Sequence, residues 1–313
     1  MASERTAFLF QGQGSQLVGM GSDLLAEFDF ARQIFDMAEE IAKAPIRRLC
    51  KEGPLEELTR TANCQVAVTA VNLAVLAALE RNGALPDAAA GHSLGEFSAL
   101  RAAGVLTDEE ALRLVARRGF LMDREAGKRK GVMAAVIGLP AEKVAEIVKL
   151  AGNDGPVVTA NLNAPGQTVI SGSERGVDRA AALAREAGGR ALPLNVAGAW
   201  HSPFMDEAAK AFADFLSAFS LQKPRIPLAL NVTGALCGEP SEIARHMAVQ
   251  MVSPVRWEED VRALAESGVS AFLEAGPKTV LSGLAKKILP ENGPHQIFSV
   301  GDLKSLEKYL SAR

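Results

Sequence analysis

Between a short strand candidate, Pro86 to Gly91, and a helix-compatible run, Glu96 to Ala103, the chain reads Gly91-His92-Ser93-Leu94-Gly95. A G-x-S-x-G held between a strand and a helix makes a sharp turn that lifts the serine hydroxyl into the open. Both glycines are needed physically, because a side chain at either flank would crowd that turn. The helix that follows sets its positive end beneath the serine, and the amide of Leu94 can donate to an oxyanion. The pentapeptide alone recurs by chance in chains of 313 residues. Its strand, turn and helix setting is what makes Ser93 a candidate nucleophile in a large α/β domain.

The chain opens on another buried strand, Ala7 to Phe10, which runs into the glycine-rich loop Gln11-Gly12-Gln13-Gly14-Ser15. A dinucleotide fingerprint needs a third glycine three residues after Gly14, where Leu17 stands, so a Rossmann cofactor site is not supported. From Cys64 to Leu79 the apolar positions wrap nearly all round a helix, the pattern of a helix buried on most of its surface. From Gly131 to Leu194 the period changes in order: strand Val132 to Ile137, helix Ala141 to Ala151, strand Val157 to Leu162, turn Ala164-Pro165-Gly166, strand Thr168 to Ser171, helix Arg175 to Ala187, strand Ala191 to Leu194. That βαββαβ order is the ferredoxin-like split unit. The basic run Gly127-Lys128-Arg129-Lys130-Gly131 before it is expected to be a solvated hinge, with contact to a CoA phosphate or an acidic partner as the alternative. After Trp200, Ser202 as a cap and Pro203 at the first helical position start a helix with the apolar face Met205, Ala208, Phe212, Phe215 and Phe219. Leu228 to Val232 and Ala271 to Glu274 are further strand candidates, and a terminal helix is expected from Lys304 to Leu310.

With 48% hydrophobic and 23% charged residues the chain can bury a sizeable core. A net charge of −3 and 5% aromatics supply neither the field nor the stacking platform that nucleic acid requires, so no nucleic-acid partner is expected. Cys50, Cys64 and Cys237 are too widely spaced for a disulfide framework or a metal site and are expected as reduced thiols. The apolar run Ala7 to Phe10 is too short for a signal-peptide core. Val66 to Leu79, interrupted by Thr69 and Asn72, falls short of a bilayer span, so a cytoplasmic protein without membrane contact is expected.

A serine nucleophile needs a base, and the chain has 4 histidines. His92 adjoins the serine and should point away from its hydroxyl. His246 lies in a helix-like segment and His295 in a polar loop, which leaves His201, at the strand-to-helix junction Gly198-Ala199-Trp200-His201-Ser202-Pro203. No acid between Ser93 and His201 can be identified as its partner, and what orients the base stays open.

Taken together, Gly12-Gln13-Gly14-Ser15-Gln16, the run Gly91 to Leu100, Arg118-Gly119, Asn161-x-Asn163-x-Pro165-Gly166-Gln167 and Gly198-Ala199-Trp200-His201-Ser202 resemble the malonyl-CoA:acyl carrier protein transacylase family. The likeness runs from Phe8 to Glu307. It implies an α/β-hydrolase-like core with a parallel sheet, residues 1–129 and 194–313, and an inserted ferredoxin-like subdomain, residues 130–193, with a cleft between them. It implies ping-pong acyl transfer, in which Ser93 attacks malonyl-CoA with His201 as base and the phosphopantetheine thiol of an acyl carrier protein then takes the malonyl group. The oxyanion amides map to Gln13 and Leu94, and the carbonyl that orients the histidine maps to Gln250. No metal and no permanently bound cofactor are implied, and a monomer in fatty acid biosynthesis is expected. A discrete acyltransferase or acyl hydrolase of a polyketide synthase is the alternative.

The malonyl carboxylate calls for a fixed cation, and arginine holds carboxylates through two parallel hydrogen bonds. On the helix beginning near Asp108, Arg117 shares a charged face with Glu110, Arg113 and Arg124, whereas Arg118 shares the apolar face with Ala111, Val115 and Met122. Arg118 is therefore the expected clamp, as the family motif also implies. By the same resemblance, Trp200 stands where malonyl-selective members usually have phenylalanine, and the larger ring should disfavour α-branched acyl groups. Asn161, Asn163 and Gln167 either line the acyl site or serve only the turn.

Overall fold

The computed structural model describes residues 5–291 and 293–312, so residues 1–4, 292 and 313 of the expected larger division lie outside it. Among these residues ten strands follow in chain order: β1 Thr6–Phe10, β2 Ala88–Gly91, β3 Val132–Ile137, β4 Val157–Ala164, β5 Gln167–Gly172, β6 Arg190–Pro193, β7 Ala229–Leu230, β8 Ala235–Leu236, β9 Ala271–Ala275 and β10 Gln296–Val300. The larger sheet is parallel in the order β10-β9-β1-β2, and Leu228 bridges onto Ala89 beyond β2. Every residue of β1, β2 and β9 is buried, as expected for parallel strands covered on both faces. The register sets Phe10 beside Gly91 and Ala275, so the loop after β1 and the turn after β2 leave the sheet at the same end.

The helix Thr61–Arg81 is 21 residues long, and all of Cys64 to Leu79 is buried. It extends beyond the 66–79 run at both ends, and by length and composition it could span a bilayer, contrary to the expectation; 89% of its apolar window is instead packed inside the protein. Asn72, which reads as an interruption, is a buried peg. Its Nδ2 donates to Gln11 O at 3.0 Å and Ser98 Oγ at 3.3 Å, tying this central helix to the loop after β1 and to the helix Gly95–Ala102.

The smaller sheet is antiparallel in the order β4-β5-β3-β6, the arrangement that the βαββαβ pattern predicts. Val144 and Ile147 of the helix Ala141–Ala151, and Val177, Ala180 and Ala184 of the helix Glu174–Glu186, close a separate core over Val136 and Ile170. β4 runs past the expected Leu162 to Ala164, with irregularities between Thr159 and Asn161 and between Leu162 and Ala164. Asn161 and Asn163 are thus strand residues beside bulges, not loop residues. Two backbone hydrogen bonds, Leu162 N to Val255 O at 2.8 Å and Val255 N to Ala160 O at 2.9 Å, dock β4 against the body.

The basic run is exposed, as a hinge would be, but it is held at both ends. Lys128 closes the helix Asp108–Lys128 with its ammonium 3.0 Å from Glu125, and the Arg129 guanidinium lies 3.8 Å over the Phe204 ring. Ser202 does cap with Pro203 behind it, yet the first turn is a 3-10 segment, Pro203–Met205, and the helix Asp206–Leu216 ends before Phe219.

Candidate active site

The turn after β2 is as tight as its glycines suggest. A Cβ at Gly91 would stand 2.0 Å from Gly95 carbonyl atoms, and one at Gly95 would stand 2.0 Å from Phe10 O. Ser93 sits at φ 52°, in the left-handed region that a non-glycine side chain rarely adopts. The helix starts at Gly95, one residue earlier than expected, with Leu94 as its cap. The Ser93 N–H is taken by Asn231 Oδ1 at 2.7 Å, whereas among the described residues no acceptor takes the N–H of Leu94 or Gln13. The Gln11 to Gln16 loop lies directly over the turn: a Cβ at Gly12 would meet His92 O at 2.4 Å and Leu94 N at 3.6 Å.

His201 reaches this turn from the same division, in the part of the chain that follows the insert, and also has a left-handed backbone, φ 55°. Its Nε2 lies 2.7 Å from Ser93 Oγ, and its Nδ1 lies 3.0 Å from both Gln250 O and Ser253 O. Carbonyl oxygens only accept, so the ring proton resides on Nδ1 and Nε2 is left to accept the serine proton. Two carbonyls do the orienting, which is why no triad acid is legible in the sequence. The ring is 4% exposed. Burial first, then the nearby Arg118 cation, push its pKa down to about 3, so the imidazole is neutral at physiological pH.

Arg118 is 1% exposed and reaches the nucleophile itself. Its Nη2 donates to Ser93 Oγ at 3.0 Å and to Gln250 Oε1 at 2.9 Å, while Nε donates to the same Oε1 at 3.1 Å. Its Nη1 makes no hydrogen bond among the described residues. Burial brings its pKa down to about 10, which still leaves a cation at neutral pH. Arg117 turns the other way, 5.7 Å from the Phe120 and Phe215 rings, along an outer groove of about 920 Å³ that holds none of Ser93, His201 or Arg118.

Ser93, His201, Arg118 and Gln13 line a cleft of about 280 Å³ between the two divisions, with Asn161, Asn163, Gln167 and Trp200 across from them or beside them. Asn163 Oδ1 is engaged by His92 Nε2 at 2.8 Å, and that imidazole packs edge-on against Trp257, so His92 does point away from the hydroxyl. Gln167 Oε1 accepts from Lys287 Nζ at 3.0 Å. Trp200 is 5% exposed, and its ring fits because position 198 is glycine: ring carbons lie 2.8 Å from where a Cβ there would stand.

Beneath the site runs a buried polar network that the sequence reading missed. Asn231 donates from Nδ2 to Gly91 O and Asp260 Oδ2, both at 2.8 Å, and its N–H reaches Glu96 Oε1 at 2.7 Å. Burial raises Glu96 to about 7 and raises Asp260 well above the usual carboxylate range. Glu96 and Asp260 each sit in the first turn of a helix, where sequence reading takes acids for solvated partners of the helix dipole. Only burial reveals them. Asn231 follows a two-residue strand and has no local signal at all.

Residues 7–306 match the family described as acyl transferase domain. The chain is 41% identical over 305 residues to the malonyl CoA-acyl carrier protein transacylase of Bacillus subtilis, covering 97% of this chain and 95% of that protein. A crystal structure of an acyl carrier protein S-malonyltransferase from Vibrio cholerae superposes with a TM-score of 0.92 at 37% identity, covering 98% and 100% of the two chains. A malonyl-transacylase, PlMCAT, solved in complex with the type II PKS acyl-carrier protein AntF in its holo form, superposes at 0.94 with 36% identity, covering 99% and 100%.

Proposed function

The chain belongs to the acyltransferase family as one of the malonyl-CoA:acyl carrier protein transacylases, and on that premise we propose how its residues divide the reaction. The observation that carries the assignment is the hydroxyl of Ser93, held between a base and a cation: His201 Nε2 at 2.7 Å and Arg118 Nη2 at 3.0 Å. His201 takes the Ser93 proton as Oγ attacks the malonyl thioester carbonyl. The oxyanion draws on the N–H groups of Leu94 and Gln13, where loss of one such donor typically costs about 10²- to 10³-fold in rate. Collapse of the tetrahedral intermediate breaks the C–S bond, and the CoA sulfur leaves with the proton from His201. The carrier's phosphopantetheine thiol then gives its proton to His201 and attacks the serine ester, and Ser93 Oγ recovers the proton as it leaves. No resident cofactor takes part.

Arg118 holds the malonyl carboxylate through Nη1, the guanidinium nitrogen that no protein group takes among the described residues. An acetyl group would leave that buried cation unpaired, and on this ground malonyl is preferred. Trp200 narrows the acyl end against α-branched groups, with Asn161 and Gln167 on the opposite wall. Fatty acid biosynthesis in the cytoplasm, by a monomer, is the setting we assign. Service to a polyketide synthase is the second reading, favoured by the likeness to the PlMCAT complex.

Radiolabelled malonyl-CoA tests the assignment. The label is expected on Ser93, absent from Ser93→Ala, and collected by an added holo carrier protein. Label released to water in the presence of carrier would identify a hydrolase, and a protein that takes no label would not be an acyltransferase. A panel of carrier proteins and acyl-CoAs then separates the two pathways.

A further inference from the structure

The role given to Gln250 so far uses only its backbone carbonyl. Its side chain is 1% exposed, is not part of the cleft wall, and has every polar valence engaged. Oε1 accepts from Arg118 Nε at 3.1 Å and Nη2 at 2.9 Å; Nε2 donates to Ser93 O at 2.8 Å and to Glu96 Oε2 at 2.6 Å. The amide can sit only one way round, because a flip would turn its NH2 toward a guanidinium and its oxygen toward two acceptors. Glu96 is in turn fixed at its other oxygen by Asn231 N.

Arg118 pairs with no carboxylate among the described residues, and the acid nearest in this network, Glu96, reaches it only through the Gln250 amide. A direct Arg118–Glu96 ion pair would satisfy the cation and blunt its attraction for a second carboxylate. An amide spacer fixes the guanidinium by hydrogen bonds while leaving its charge to act on a ligand. We propose that the Gln250 side chain, anchored by Glu96, is the positioning residue for Arg118, so that preference for an acyl group bearing a carboxylate depends on an amide that does not touch the acyl group. The proposal rests on the reading of Arg118 as the carboxylate clamp.

The test compares kcat/KM for malonyl-CoA and acetyl-CoA in wild type, Arg118→Ala, Gln250→Met, Gln250→Asn and the double variant Arg118→Ala/Gln250→Met. Gln250→Met keeps the side-chain length and the carbonyl that orients His201 but removes the amide. Gln250→Asn keeps the amide but is one methylene too short to span Arg118 and Glu96, and it serves if the Met variant fails to fold. The malonyl-to-acetyl ratio is expected to fall by about tenfold or more in each Gln250 variant, a loss typical when the outer hydrogen-bond partner of a binding group is removed. In the Arg118→Ala background the Gln250 change should leave the ratio where it is. If Arg118→Ala leaves the ratio at its wild-type value, the clamp reading fails. If Arg118→Ala collapses the ratio while the Gln250 variants lower malonyl and acetyl transfer alike, or change neither, the positioning role is overturned.

Discussion

At the residue scale, burial and a neighbouring cation pull the proton affinity of His201 the same way. Its folded pKa of about 3 lies below its ordinary 6.5, so the base-competent neutral form persists at every pH above about 3 and is lost only below it. The cation that weakens the base also donates to Ser93 Oγ, lowering the cost of the alkoxide that base must create. Removing the cation should therefore move the acid limb of the rate profile upward. With acetyl-CoA as donor, which does not engage a carboxylate clamp, Arg118→Met is expected to shift the acid limb of kcat/KM to higher pH, toward 6.5, as read from a pH–rate profile. An unmoved limb would mean that Arg118 does not act on His201. Ser93, His201 and the choice of Arg118 over Arg117 were legible because nucleophile spacing, histidine scarcity and helical face are local signals. Glu96, Asn231, Asp260 and the Gln250 side chain were not, because their roles follow from burial that the whole fold creates.

At the element scale, the strand, turn and helix around Ser93 are fixed by backbone contacts rather than by side-chain packing. Gly95→Ala would set a Cβ 2.0 Å from Phe10 O and 2.8 Å from Gln11 O, and backbone at the end of a central strand cannot retreat. The helix Gly95–Ala102 must then lift from β1, at a cost of about 1–3 kcal/mol or more, and denaturant unfolding should show that loss together with loss of Ser93 labelling. Gly127→Ala is the control: it lies in the helix Asp108–Lys128 with nothing within 4 Å of the new Cβ, and it should be neutral or stabilising by about 0.5–1 kcal/mol. The helix that carries Arg118 was legible from its period, beginning near Asp108, and the structure adds the capping box of Thr107 with Glu110 that starts it. β4 was cut short on the page because its bulges break the alternation that marks a strand.

At the scale of the whole molecule, the switch from one periodicity to another around residues 131 and 194 divides the chain, and the two sheets follow that division. How the two bodies meet is not written locally. Val255 seals the edge of β4, and the His92–Asn163 hydrogen bond crosses the cleft beside Ser93. Asn163→Ala should remove one neutral hydrogen bond of about 0.5–1.5 kcal/mol, raising KM for malonyl-CoA a few-fold with little change in Tm, measured by steady-state kinetics and calorimetry. A fall in kcat with KM unchanged would place Asn163 in the chemistry instead. The left-handed backbones of Ser93 and His201 carry a different implication. Apart from Lys43 they are the only non-glycine residues at positive φ among those described, and each such conformation costs about 1–3 kcal/mol. A lineage selected for heat resistance alone, with no demand for turnover, would gain by admitting glycine at 93 and would lose its reactive centre early. Turnover is what keeps the strained serine in place.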